Sequence, residues 1–227
     1  MGTLSIVGTP IGNLGDITLR ALETLRQADA IACEDTRVTA RLLARYDIQK
    51  PLLIFHARSG KLASDRILSA LGEGKRIALV TDAGTPGISD PGNELVKVVR
   101  ERLGDDVCIE AIPGPSAVAA ALSIAGIHSN EFTFLGFLPH KKGRQTLFKE
   151  IAQSERTIVF YESPHRIEKA LVVLAEMLPV GRIVTIAREL TKIHESLVQG
   201  TPQEVAAYFA THQDQVRGEF VVIVSAC

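Results

Sequence analysis

Apolar residues along this chain fall into short continuous runs, each followed by a polar, glycine-rich stretch and then by an apolar stripe at helical spacing. Residues 4–7, Ala30–Cys33, 52–55, 76–81 and Val107–Ile112 read as strands. Between them, helices are marked by Leu19, Leu22 and Leu25, by Leu42 and Leu43, by Ile67, Leu68 and Leu71, and by Leu95, Val96, Val98 and Val99. Runs without a polar face belong inside parallel sheets, and their alternation with helices predicts a doubly wound α/β domain. Pro113-Gly114-Pro115-Ser116 then opens the alanine-rich helix Ala117–Ala125, and after Gly126 the pattern changes. Phe132–Phe137 is aromatic, and residues 157–161, 182–187, 196–199 and 219–224 read as further strands, the last few antiparallel. Pro164 after Ser163 and Pro202 after Thr201 each mark a helix start. The expectation is two α/β domains, residues 1–118 with a mainly parallel sheet and 119–227 with a mixed one, and a ligand cleft between them.

The stretch around which the chain is organised is 82–92, Asp-Ala-Gly-Thr-Pro-Gly-Ile-Ser-Asp-Pro-Gly, between a buried strand and a helix that Asp90 caps and Pro91 begins. Ordinary strand-to-helix connections run about two to six residues. This longer one carries Asp, Thr and Ser at the carboxyl end of a strand, where open α/β sheets place ligands. Residues 8–16, Gly-Thr-Pro-Ile-Gly-Asn-Leu-Gly-Asp, repeat the arrangement but lack both the Gly-x-Gly-x-x-Gly spacing and the Gly-Lys-Ser/Thr ending of nucleotide loops. Glu34-Asp35-Thr36-Arg37 ends the second strand; it is either a capped helix start or part of a site. Parallel strands share a direction, so Thr9-Pro10, Glu34-Asp35 and residues 82–85 should meet on one rim.

Charge changes the picture only locally. Lys plus Arg number 25 and Asp plus Glu 26 in 227 residues, so bulk charge does not advertise a polyanion partner. His140-Lys141-Lys142-Gly143-Arg144 precedes a helix, where positive charge opposes the macrodipole; the placement points to an anionic partner, although such runs are also solvated helix starts. Arg37, Arg41 and Arg45, spaced four apart, extend the patch on one helix face. The start of the chain has no basic region followed by a long apolar run, which predicts neither signal peptide nor membrane span. Cys33, Cys108 and Cys227 fit neither a disulfide framework nor a zinc site, so the expectation is a cytoplasmic protein without a metal.

These stretches, together with Phe137-Leu138-Pro139, residues 160–166 (FYESPHR) and 187–192 (ARELTK), resemble in order the motifs of the ribosomal RNA small subunit methyltransferase I family, a branch of the tetrapyrrole methylase superfamily. The resemblance covers nearly the whole chain. It implies a homodimer with S-adenosylmethionine bent in the interdomain cleft, acting on 16S ribosomal RNA in the small subunit by 2′-O-methylation of a cytidine in the decoding region. Carried over by position, the cofactor site comprises Pro10, Ala83, Gly84, Thr85, Ile88, Ser116, Ala117, Glu162 and Leu190. Family members often continue into a C-terminal helical segment, whereas this chain stops at Cys227, which puts RNA contacts of such a segment in doubt.

Methyl transfer to a ribose hydroxyl is an in-line displacement helped by a positioned base. Glu34, Asp35, Glu162, Glu189, His165 and His194 are candidates; the choice falls on Asp35 or Glu189, with Arg37 and Arg188 holding adjacent phosphates and Lys141, Lys142, Arg144 and Arg41 meeting the rest of the RNA. Two rival readings stand beside this one: a tetrapyrrole or precorrin C-methyltransferase, and a non-catalytic nucleotide-sensing or ribosome-binding module.

Overall fold

A strand with no polar residue must lie inside a sheet covered on both faces, and the fully buried run AIAC meets that condition. The computed structural model describes residues 1–56 and 61–226, which form two units, Met1–Ser116 and Ala117–Cys227.

The first unit runs β1 (Gly2–Val7), α1 (Leu19–Gln27), β2 (Ala30–Cys33), α2 (Thr36–Arg45), β3 (Leu52–Ile54), α3 (Lys61–Gly72), β4 (Arg76–Leu79), α4 (Gly92–Leu103) and β5 (Val107–Ile112). Its sheet is parallel throughout, in the order β3-β2-β4-β1-β5. Leu4, Ile67, Leu71, Ile77, Leu95 and Val99 pack on one face; Val7, Leu25, Ile31, Leu43, Val80 and Ile112 pack on the other. Helices therefore cover both sides, as the apolar runs predict. Because β4 inserts between β2 and β1, four neighbouring strands end on one edge with their loops side by side.

Helix starts differ in detail from the expected ones. The α4 helix begins at Gly92, and Asp90 acts from two residues upstream, its carboxylate accepting the Gly92 N–H at 2.7 Å and the Gly87 N–H at 2.8 Å. Asp90 thus ties the loop to itself as well as to the helix.

The second unit contains α5 (Ala117–Ala125), β6 (Phe132–Phe137), α6 (Arg144–Gln153), β7 (Thr157–Glu162), α7 (Ile167–Met177), β8 (Val184–Arg188), β9 (Ser196–Gly200), α8 (Pro202–Thr211) and β10 (Phe220–Val224). The sheet order is β6-β7-β10-β8-β9, with β6 and β7 parallel and the other pairs antiparallel. Phe148, Phe160, Leu171, Leu174, Phe209 and Val222 fill the core under α6, α7 and α8. Pro202 opens α8 inside a capping box of Thr201 and Glu204. Pro164, by contrast, sits in a turn ahead of α7, where the Arg166 and Ile167 N–H groups both donate to the Ser163 carbonyl at 3.0 Å. Arg182 lies outside β8; it is buried, and its guanidinium donates to the Ser154 and Ile151 carbonyls at the C-terminus of α6.

Cys33 is buried and Cys108 exposed, both as free thiols, and Cys227 lies outside the described residues. Among the described residues no helix is long and apolar enough to cross a membrane.

Candidate functional site

The loops that leave β1, β2, β4 and β5 are laced together at the carboxyl edge of the parallel sheet. Thr9 and Gly84 exchange both backbone hydrogen bonds, at 2.9 and 3.2 Å, forming an antiparallel bridge between the first and third loops. The Thr9 hydroxyl lies 3.2 Å from both the Thr81 and Gly84 carbonyls. Thr85 donates from its hydroxyl to the Pro115 carbonyl at 3.1 Å, which ties in the fourth loop. Gly8 and Gly114 approach so closely that a Cβ on Gly8 would stand 2.7 Å from the Gly114 Cα, so neither tolerates a side chain. Gly84 has φ +85, and a Cβ there would press against Ile11 at 3.3 Å. Pro10, Ala83, Gly84, Thr85, Ile88 and Ser116 consequently share one edge, with Pro10 and Gly84 buried and Ala83 and Ile88 exposed.

Carboxylates line the same edge. Glu34 accepts the Thr81 hydroxyl at 2.8 Å, and the Asp35 N–H donates to Asp82 at 3.2 Å. Partial burial pushes the Glu34 carboxyl above its ordinary value; the Thr81 hydrogen bond opposes this, Asp90 and Asp82 add to it, and His56 opposes it. Asp35 behaves in the opposite way. Hydrogen bonds from the Arg37 side chain and N–H bring it down to about 2, while its side chain caps α2. Arg37 is therefore paired with Asp35 at 2.6 Å. Of the two carboxylates in the Glu34-Asp35 pair, the first is raised and the second lowered, so Glu34 is the better proton acceptor of the two.

In the second unit, Ala117 is the first residue of α5, and Leu190 is buried between Glu189 and Thr191, which both take positive φ, 51 and 67. Two adjacent-but-one non-glycine residues in that region store strain of the kind held at functional loops. Burial pushes Glu189 upward, but hydrogen bonds from Lys192 and the Glu219 N–H, with the charges of Lys192 and Arg188, hold its carboxyl below the ordinary value. Arg188 is a correction to the phosphate-holding expectation: it is 8% exposed, and its guanidinium donates to the Arg217 carbonyl at 2.7 Å and the His194 carbonyl at 3.1 Å. His165 and His194 are exposed.

Glu162 is fully buried. One carboxylate oxygen pairs with Arg144 at 2.7 Å, the other with Arg166 at 2.8 Å, and the Ser163 N–H adds a third bond. The anion that answers the positive charge of Arg144 at the α6 N-terminus is thus inside the chain, and Arg144 leaves the set of surface contacts. Lys141, Lys142 and Arg41 are exposed. The Arg166 half of this clamp has no sequence signature, because Glu162 ends a strand and Arg166 lies in the turn before α7.

Residues 3–206 match the model of a family described as Tetrapyrrole (Corrin/Porphyrin) Methylases. Proteins named ribosomal RNA small subunit methyltransferase I are similar along almost all of the chain. The one from Xylella fastidiosa (strain Temecula1) is 47% identical over 98% of this chain and 81% of its own. That of Thermotoga maritima is 45% identical over 99% of each. Among solved structures, the methyltransferase CobJ superposes with TM-score 0.73 at 19% identity, covering 100% of this chain and 95% of that one. A cobalt precorrin-4 methyltransferase, CbiF, superposes with TM-score 0.69 at 19% identity over 98% and 94%. The parallel and mixed sheets, the laced loops and the length of these matches lead to one conclusion: the chain belongs to the tetrapyrrole methylase family, in its ribosomal RNA small subunit methyltransferase I group, and is an S-adenosylmethionine-dependent methyltransferase.

Proposed function

We propose that the enzyme methylates the ribose 2′-hydroxyl of a cytidine in the decoding region of small-subunit 16S ribosomal RNA, and that it works in the cytoplasm as a homodimer. The observation that carries this reading is similarity over nearly the full chain to several proteins bearing one name, at identities from 43% to 47%. Likeness to precorrin enzymes is at the level of fold, which leaves the macrocycle reading without comparable support.

The residues at the sheet edge fit the cofactor. The carboxylates of Glu34, Asp82 and Asp90 create a negative field suited to a cation, and Ile88 and Ala83 offer apolar surface beside them. Pro10, Ala83, Gly84, Thr85, Ile88 and Ser116 would hold it. Glu162, also expected at the cofactor, has its carboxylate taken up by Arg144 and Arg166. Bound there, S-adenosylmethionine supplies an electrophilic methyl group on a positively charged sulfur.

Glu34 is the proton acceptor in this reading, replacing Asp35 and Glu189. Its raised basicity suits the removal of a hydroxyl proton, and Thr81 fixes its orientation. The acidic edge repels phosphates, so RNA must be gripped elsewhere: Lys141 and Lys142 on the loop before α6, and Arg41 on α2, are exposed cations for that purpose. Radiolabelled methyl transfer to unmodified small subunits, free small-subunit RNA and a porphyrinogen, run in parallel, tests the assignment. Label in the porphyrinogen alone would replace it with the macrocycle reading.

A further inference from the structure

We infer that Phe137, with Tyr161 and Phe134, forms a shelf on which an unpaired RNA base stacks while Lys141 and Lys142 hold the neighbouring phosphates; the inference rests on the ribosomal RNA reading above. The starting observation is a break in strand pairing. Phe134 pairs with Val159 and Phe137 with Tyr161, so the edge strand β6 carries one extra residue between them. Gly136, at φ +63, absorbs it. In an unbroken strand Phe137 would point to the opposite face from Phe134, into the helix-covered core that holds Phe160. The bulge turns it instead to the Tyr161 face.

The result is a run of rings on one face of an edge. Phe134 meets Tyr161 edge-on at 5.0 Å between centroids, and Phe137 tilts against Tyr161 at 5.3 Å. Phe137 nevertheless remains 57% exposed. Phe137 thus offers solvent a large ring backed by two others, a surface on which a planar partner can stack. Its surroundings choose between partners. Lys141 and Lys142 follow within five residues and are exposed, and the backbone between ring and lysines is pinned: Arg166 donates to the Leu138 carbonyl at 2.9 Å and Arg144 to the Pro139 carbonyl at 3.3 Å, both held by buried Glu162. A π-face followed within five residues by two exposed lysines is the combination that binds single-stranded nucleic acid, through base stacking and phosphate contact.

Steady-state methylation of unmodified small subunits by Phe137→Ala, Phe137→Leu and Phe137→Trp tests the shelf. Stacking of one base predicts a KM for the subunit raised roughly tenfold in both Phe137→Ala and Phe137→Leu, with kcat and calorimetric cofactor affinity unchanged, and a KM restored in Phe137→Trp. The leucine variant separates a ring requirement from simple apolar bulk. A KM within about twofold of wild type in both ring-less variants overturns the shelf, because a stacked base is worth more than that. Loss of self-association in Phe137→Ala by sedimentation also overturns it, by assigning the rings to a second copy of the chain. Absence of methyl transfer by the wild-type enzyme removes the ribosomal reading itself, and this inference with it; that failure is visible before any variant is compared.

Discussion

Thr9 and Gly84, 75 positions apart in the chain, are joined by a reciprocal pair of backbone hydrogen bonds. That bridge locks the loop after β1 to the loop after β4, and Thr85 passes the constraint to the loop after β5. The edge proposed to hold the cofactor is therefore formed by main-chain geometry, so its sensitivity to substitution is steric before it is chemical.

Gly84→Val places a β-branched side chain at φ +85 with its Cβ 3.3 Å from Ile11. Strain of about 1–3 kcal/mol at such a position should displace the Thr9 bridge and lower S-adenosylmethionine affinity by at least about tenfold in calorimetry, a loss of about 1.4 kcal/mol. Circular dichroism should report an intact fold. Unchanged affinity would remove this loop from the cofactor site.

Glu34→Gln should reduce kcat by about 10²–10⁴ and leave cofactor affinity nearly unchanged. The pH profile separates Glu34 from Asp35. Glu34 titrates above its ordinary 4.5, so the active base is lost as pH falls through that raised value. A base at Asp35 would stay ionised down to about 2, and activity would persist in much stronger acid. Because folding raises the Glu34 pKa, its ionised form opposes folding above the ordinary carboxylate range. The glutamine variant should accordingly match or exceed the wild-type Tm at neutral pH while losing turnover.

Lys141→Ala with Lys142→Ala should weaken RNA binding and flatten its dependence on salt, each lost phosphate contact lowering the logarithmic slope by about 0.7–0.9. Filter binding across a salt series reads this directly. An unaltered slope would exclude the loop.

Glu162→Ala strands Arg144 and Arg166, whose side chains are each 16% exposed, without their shared anion. Removing one partner of a buried ion pair costs about 3–5 kcal/mol, to be read as a lower midpoint in chemical denaturation. Glu162→Gln, which keeps an acceptor, should cost less. Equal stability of wild type and Glu162→Ala would deny the clamp its structural role.

What the chain reveals without coordinates follows from the range of each signal. Apolar runs and turn residues act over a few positions, so the strands, the alternation of helices, the cap at Thr201 and the strand-end loops were legible. Partners far along the chain were not. The positive charge at the start of α6 suggested an external anion, but only folding brings Glu162, 18 residues away, to Arg144. Arg188 reads as a surface cation because it ends its apolar run and nothing local supplies the Arg217 carbonyl, 29 residues on. Arg182 read as a strand residue for the same reason, its acceptors lying at the end of α6. Glu34 and Asp35, adjacent and alike on paper, separate chemically because one meets Thr81 at the edge of the sheet and the other meets Arg37.

The central claim is transfer of a methyl group to a ribose oxygen of small-subunit RNA, and alkaline digestion of labelled product tests it most directly. Incubation of unmodified small subunits with radiolabelled S-adenosylmethionine should place the label in a dinucleotide resistant to alkali, beginning with cytidine, because a methylated 2′-oxygen cannot attack the adjoining phosphate. Label recovered in a mononucleotide, on a base, would contradict the account.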